Sequence, residues 1–423
     1  MSSGQRAVLF AAAGFLLIFG YVFLPRPAEK SIQHQIVSAI GVQDPAFATS
    51  LGNLVGAPLL GSNYVEALQN GDEIFPSMLK AIREARQTIT LENFIFRSGK
   101  LSQEWVSALN ERARAGVEVH VIMDFLGSTK LKGEEIDSMK GAGVDFVKYN
   151  QTKWHKLLRA NHRDHRKLLV VDGRIGFTGG ACLADEWLGA GDNEKVWRDT
   201  HFRVEGPVVA QLQGVFMDNW IQTHHRVLSG PGYFPPPLPA GNYLAHCFKT
   251  GPRDGVETAR LVYLYSIAAA RNHIRIIHSY FVPDDLMIET LLAARQRGVR
   301  IEIITPGIID ANVVRRASRA RWDDLLKAGI EFYEFEPAML HCKVMILDDI
   351  WVVAGTVNFD NRSFRINDEN TLGVWNQEFA HTQIKTFEAD KSKSRRVNVG
   401  EFKSRPWYLK VVEQFAACFR AWL

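Results

Sequence analysis

Two stretches of this 423-residue chain, "HRKLLVVDG" at 165–173 and "HCKVMILDD" at 341–349, set a histidine and a lysine two residues apart before a branched apolar run that ends on an aspartate. They lie 176 residues apart, and the same offset carries Lys167 to Lys343, Asp172 to Asp348 and Gly179 to Gly355. Chance rarely aligns four chemically distinctive positions at one offset, so the chain is an internal duplication and must fold as two related halves. The offset also carries Cys182 onto Asn358, so the copies have diverged just past the motif.

On a strand, residues i and i+2 face the same way, so His165 projects with Lys167 and His341 with Lys343. The runs "LLVV" and "VMIL" between each lysine and its aspartate supply core burial. Asp172 and Asp348 end the strands, before "GR" and "DI", where an aspartate caps a turn; both are assigned structural roles.

Around these motifs the chain alternates helix and strand. Ile74, Met78, Leu79 and Ile82 have helical spacing in a segment running through Gln87, and "TITLENFIF" at 88–96 reads as a strand. A helix and a strand follow in "LSQEWVSALNERARAGVEVHVIMDF", with Gly116 as the helix stop. The Pro- and Gly-dense segment 226–241 breaks the pattern and is the expected boundary. Beyond it the order returns as helix "VETARLVYLYSIAAARNH", strand "IRIIHSYFV", helix "DDLMIETLLAARQRG" and strand "VRIEIITPG". The fold class is therefore α/β, with one domain over 60–225 and a second over 242–423.

Residues 7–24, "AVLFAAAGFLLIFGYVFL", form an uncharged run of 18. As a helix it is about 27 Å long, close to the hydrocarbon thickness of a bilayer. It is read as an uncleaved single-pass transmembrane anchor, with a cleaved signal peptide or an interfacial helix as the alternatives. Arg6 on one side faces Arg26 and Lys30 on the other, so flanking charge does not set the orientation. The four scattered cysteines, Cys182, Cys247, Cys342 and Cys418, suit a reduced body and lean toward the cytoplasmic face. None has zinc-site spacing, and neither a metal nor another cofactor is expected.

Two histidines can divide one substitution, one attacking and the other protonating the leaving group, because imidazole titrates near neutrality. Two lysines suit the nonbridging oxygens of a phosphodiester and its more charged transition state. A net charge of +4 without Lys/Arg blocks argues against nucleic acid as the partner and leaves anionic substrates or an anionic lipid surface. Glu92, inside the apolar strand "TITLENFIF", is a further candidate for the site, because an unpaired buried carboxylate is costly. "NHRDH" places His162 three residues before His165, which is a poor metal motif. "RRASRARW" at 315–322 could contact lipid phosphates, although a solvated helix face is the commoner outcome, and the tail "RPWYLKVVEQFAACFRAWL" mixes aromatic and basic residues and reads equally as lying at a bilayer interface or as packing on the second domain.

The paired "HRKLLVVD" and "HCKVMILD", with "GFTGG" and "VVAGTVNFDNRSF" after them, resemble the motifs of the phospholipase D superfamily. "WRDTHFRVEGPVV" at 197–209 and "NFDNRSFRINDEN" at 358–370 are similar to its bacterial cardiolipin synthase branch. The resemblance spans roughly 60–423 and implies two α/β sandwich domains related by pseudo-two-fold symmetry, sharing one metal-free active site. It implies a covalent phosphohistidine, with His165 as nucleophile and His341 as acid and then base; the reverse assignment is the alternative. Asn358 matches a phosphoryl-binding asparagine, Asp199 and Glu369 match acidic partners placed after each motif, and Arg362 and Ser363 are assigned to substrate binding with Glu92. Cys182 stands where many members have asparagine, and a thiol is the weaker donor.

The expected activity is phosphatidyl transfer between two phosphatidylglycerol molecules at a membrane, with anionic phospholipids as partners. The alternatives are a lipid hydrolase, a nuclease of the same superfamily, and a membrane-tethered binding protein. Two complete His/Lys pairs argue against the last.

Overall fold

The computed structural model describes residues 31–151, 161–252 and 257–419. The apolar run 7–24, and with it the expected anchor, lies outside the described residues; among those described, no helix is long and apolar enough to cross a membrane.

The duplication is visible strand by strand. The first half supplies β1 (Leu60–Gln69), β2 (Thr88–Asn93), β3 (Glu118–Asp124), β4 (Asp145–Tyr149), β5 (Leu168–Val171), β6 (Ile175–Gly179) and β7 (Thr200–Glu205). The second supplies β8 (Tyr243–Thr250), β9 (His273–His278), β10 (Arg300–Ile308), β11 (Glu331–Leu340), β12 (Lys343–Leu347), β13 (Trp351–Gly355) and β14 (Glu369–Trp375). In one continuous sheet they run β11-β10-β9-β12-β13-β14-β8-β1-β7-β6-β5-β2-β3-β4. Each half repeats the same order and the same mixture of parallel and antiparallel pairings. The halves join where β1 pairs antiparallel with its own equivalent, β8, as a local two-fold requires. Residues 226–241 carry neither helix nor strand and lead into β8.

The helices that cover the sheet include α1 (Asn70–Glu84), α2 (Lys100–Arg114), α3 (Val209–His224), α4 (Thr258–Ala269), α5 (Asp285–Gln296), α6 (Asn312–Arg319), α7 (Gln377–Ser392) and α8 (Trp407–Ala417). The motif strands β5 and β12 are buried along their whole length, as helix-covered central strands must be. At about 1.5–3 kcal/mol for each Leu or Val removed from water, their apolar runs hold the two motifs firmly in the middle of each half. One apolar cluster, containing Val170, Phe202 and Trp220 from the first half and Leu340, Val352 and Phe379 from the second, crosses the junction.

Asp172 and Asp348 fasten the motif strands to their neighbours. Both have left-handed backbone, with φ of 52° and 47°. The Asp172 carboxylate accepts from the backbone N–H of Arg86, Gln87 and Thr88 at 2.7–2.9 Å. Asp348 does the same for Arg271, Asn272 and His273 at 2.7–2.9 Å. Three charge-assisted bonds at the entry of β2 and of β9 set the register against β5 and β12. Asp348 is buried whereas Asp172 is partly exposed, so water can replace only the latter. Asp348→Ala is accordingly expected to cost about 2–3 kcal/mol, and Asp172→Ala about 1 kcal/mol, in thermal or urea denaturation of the full chain.

Candidate active site

Each motif histidine sits just before its strand, where its backbone is held by the other half. His165 N–H donates to Asp368 O at 2.9 Å, and His341 N–H donates to Arg198 O at 2.7 Å. These reciprocal bonds bring together motifs that are 176 residues apart. The carboxylates cross in the same way. His165 Nδ1 lies 2.9 Å from both oxygens of Glu369, and His341 Nδ1 lies 2.8 Å from Asp199 Oδ2. The acidic residue that follows each motif in sequence therefore orients the histidine of the other motif. In each dyad the Nδ1–H is occupied by a carboxylate, which directs the Nε2 lone pair away from it.

The lysines lie beside these rings. Lys167 Nζ donates to His165 O at 2.7 Å. Lys343 Nζ donates to Ser279 Oγ at 3.0 Å and stands 3.0 Å from His341 Nε2. Ser279 in turn donates to Asn358 Oδ1 at 2.9 Å, and the Asn358 amide NH2 is not committed to any described residue.

Among the described residues, the first half has no such network. Phe94 meets the His165 ring edge-on at 5.0 Å, the Lys167 ammonium lies 5.5 Å from the Phe94 ring centre, and Cys182 is buried with its thiol pushed up by burial. One wall of the site is thus apolar and the other polar. Around His341 stand the Trp187 and Trp197 rings at 5.4 and 5.1 Å, and Trp187 Nε1 donates to Asp199 Oδ2 at 2.9 Å. Ser279, Phe94 and the two tryptophans went unrecognised in the sequence. The signal for the first two is that they occupy matching positions just after β2 and β9.

Glu92 has to be reassigned. Antiparallel pairing sets it opposite Leu168, on the face that carries Arg166 and not on the face of His165 and Lys167. There it accepts from Asn219 Nδ2 at 2.7 Å and lies 3.8 Å from Arg166 Nη1. Burial lifts its pKa to about 7 against the pull of Arg166 and Asn219. It belongs to the charged layer behind the site and is removed from the substrate-binding set. Ser363 is also displaced from the substrate: it is buried, its N–H donates to Asp360 Oδ1 at 2.8 Å, and its side chain pulls the pKa of Asp360 and of Glu369 down against burial. Arg362 donates to the side chain and backbone of Asn161 at 2.7–2.9 Å and lies near enough to depress His165. His162 pairs with Asp368 at 2.8 Å.

The electrostatics separate the two dyads. Burial, then Lys167, Lys343 and Arg362, hold the His165 pKa well below its usual value. Burial and then Lys343 bring His341 down to about 4 in spite of Asp199. Both rings are therefore neutral at pH 7. Burial acts to raise the Asp199 carboxyl, but His341, Lys343 and Trp187 together bring it below the usual range. Glu369 goes the other way, lifted by burial to about 7 against Lys167, Thr356, Ser363 and Asn367. Lys343, desolvated and facing Lys167, falls to about 8. Two neutral imidazoles, two ammonium groups and one amide donor suit attack on a phosphodiester with proton transfer from the opposite side.

The family model described as "Cardiolipin synthase, PLD-like domain" matches residues 78–218 and 263–391, one match in each half. Cardiolipin synthase A of Pseudomonas syringae pv. syringae is 36% identical over 352 residues, which is 83% of this chain and 72% of the relative. The probable cardiolipin synthase YwiE of Bacillus subtilis is 34% identical, over 84% of this chain and 71% of the relative. Among solved structures, the phosphatidylserine synthase of Haemophilus influenzae superposes with a TM-score of 0.64 over 89% of this chain and 100% of its own, at 12% identity, a likeness of fold.

Proposed function

The chain belongs to the cardiolipin synthase family of phospholipase D-like proteins, and on that premise we propose that it joins two phosphatidylglycerol molecules into cardiolipin and releases glycerol. The observation that carries this reading is the pair of crossed dyads, His165–Glu369 and His341–Asp199, with a lysine beside each histidine.

His165 Nε2 attacks phosphorus, the bond to the glycerol oxygen breaks, and glycerol takes a proton from His341. The incoming phosphodiester anion raises the proton affinity of His341, which burial and Lys343 otherwise keep low, so that Nε2 takes up a proton from solvent as the substrate binds and has it to give to glycerol. The hydroxyl of a second phosphatidylglycerol then gives its proton to His341 and attacks phosphorus, and the P–N bond to His165 breaks. Lys167, Lys343 and the Asn358 amide meet the nonbridging oxygens, and Arg362 adds positive charge at the rim.

The different environments of the two dyads support this division of labour. Asp199 stays ionised beside His341, as a group that must carry a proton in one step requires. Glu369, whose pKa is raised to about 7, ionises near neutrality and holds the Nδ1–H of His165, leaving Nε2 free as the nucleophile. Residues 7–24 are assigned the anchor that keeps this site at membrane-bound substrate.

The test is to supply the purified full chain with headgroup-labelled and acyl-labelled phosphatidylglycerol in mixed micelles. Cardiolipin with an equal amount of glycerol is expected. Phosphatidic acid alone would mean water replaces the second lipid, and nuclease activity without lipid turnover would sink the proposal.

A further inference from the structure

α8 carries its apolar residues on the wrong side for a helix of a soluble body. The stripe that packs inward is Glu413, Ala416 and Ala417, at i, i+3 and i+4. Trp407, Tyr408, Val411, Val412, Phe415 and Phe419 are exposed instead, Trp407 to 76% and Phe415 to 66%. Val313, on neighbouring α6, adds to the same exposed surface at 46%. Scattered apolar residues on a surface need no explanation, but a helix whose outward face is almost wholly apolar and aromatic marks a contact.

The helix is pinned in that pose. Glu413 Oε2 accepts from Arg405 Nε at 2.9 Å, and Glu413 Oε1 lies 3.5 Å from Arg319 Nε on α6. Ala416 joins Val282 and Ala317 in a small buried cluster. The one carboxylate of α8 is therefore turned inward and paired, while the aromatic rings point out.

Charge identifies the occupant. Residues 312–321 and 393–419 hold ten Arg and Lys against two Glu; Arg315, Arg319, Arg321, Arg395, Arg396 and Arg405 are paired with Asp285, Asp323, Glu331, Glu334 and Glu413, and the other four are Arg316, Lys393, Lys403 and Lys410. Arg316 and Lys403 are exposed and have no carboxylate partner among the described residues. Aromatic and aliphatic residues bordered by unpaired cations fit the headgroup region of an anionic bilayer. A second copy of the chain would bring the same positive charge and be repelled.

The patch also adjoins the site. Ser318 of α6 donates to Phe281 O at 2.5 Å, and Phe281–Val282 directly follow Ser279 and Tyr280. Ser279 is the residue that bonds both Lys343 and Asn358.

We propose that α8, with the rim of α6, is an interfacial docking element that lies in the headgroup layer of an anionic phospholipid bilayer and sets the polar wall of the site against it. The consequence for catalysis rests on the phosphatidyl-transfer reading; the docking does not. Cys418 follows α8, is exposed, and is the only exposed cysteine among the described residues. The full chain, labelled there with an environment-sensitive fluorophore, is reconstituted in bilayers of phosphatidylcholine alone or mixed with phosphatidylglycerol, with brominated acyl chains as quenchers. Quenching is expected in the mixed bilayers and less in the neutral ones. Absence of quenching, or a label shielded by self-association of the chain, would overturn the proposal.

The variant Trp407→Ser/Phe415→Ser is expected to lose about tenfold or more in turnover of phosphatidylglycerol in vesicles. It should retain turnover of a short-chain phosphatidylglycerol dispersed as monomers. An equal loss on both substrates would assign the helix a structural role. If the unaltered chain turns over neither lipid, the reaction reading fails while the quenching result still decides the docking.

Discussion

With bis(p-nitrophenyl) phosphate as substrate, His341→Ala is expected to release about one equivalent of nitrophenolate per chain and then stall, whereas His165→Ala releases none. Nitrophenolate leaves as a stable anion and needs no proton, so loss of the acid leaves the first step intact. The second step still requires a base for the acceptor hydroxyl, and the phosphoryl group therefore remains on His165. With phosphatidylglycerol, whose glycerol must be protonated as it leaves, the same variant loses both functions. A fall of about 10³-fold or more is expected there, at the upper part of what one acid–base group contributes. Asp199→Asn is expected to act on the same side of the reaction, because Asp199 bonds the Nδ1 of His341 and not that of the nearer motif. A burst from His165→Ala instead of His341→Ala would exchange the two roles, and mass spectrometry of the stalled chain locates the phosphoryl group directly.

That assignment draws on a pairing the sequence alone did not reveal. The duplication, the α/β alternation and the facing of each histidine with its lysine are local or periodic, and a period is readable without coordinates. Asp199 lies 34 residues after His165 in the chain, yet its partner is His341, 142 residues further on. Only the exchange of backbone bonds between the halves makes that crossing. Glu92 was misplaced for a related reason. A carboxylate in a buried strand signals a partner, but which face it takes depends on register, and register puts it with Arg166. Ser279 and Phe94 escaped because loop lengths differ between the copies. The offset is 176 at the motifs, but 185 between Thr88 and His273, the residues bound by Asp172 and Asp348. An alignment at constant offset therefore steps past the one place where a polar wall replaces an apolar one. The tail segment left open between lipid and packing packs through one stripe of α8 and exposes the rest.

The buried carboxylate of Glu369 sets a conflict between stability and turnover, and it should be measurable by a single substitution. Its pKa is lifted from 4.5 to about 7 by burial, so the folded chain holds that proton more tightly than the unfolded one. The stabilisation is complete below about pH 4.5 and is lost as pH rises through 7. At pH 8 the ionised group costs about 3 kcal/mol relative to its neutral form. Gln is the neutral isostere, so Glu369→Gln is expected to raise the melting temperature at pH 8 and to leave it nearly unchanged at pH 5. Activity should move the opposite way, because the ionised carboxylate is what balances the positive charge on His165 as its Nε2 bonds to phosphorus. For the unaltered chain kcat/KM is expected to rise through about pH 7 as Glu369 ionises. It should fall above about 8 as Lys343, drawn down by desolvation, loses its proton. In Glu369→Gln the acid limb should vanish and kcat/KM should lie lower throughout, while the limb near 8 persists. Asp360 and Glu92, also raised to about 7 by burial, are competing sources of the acid limb. Persistence of that limb in the Gln variant would transfer it to one of these two carboxyls, and a melting temperature at pH 8 no higher than that of the unaltered chain would remove Glu369 as the seat of the conflict.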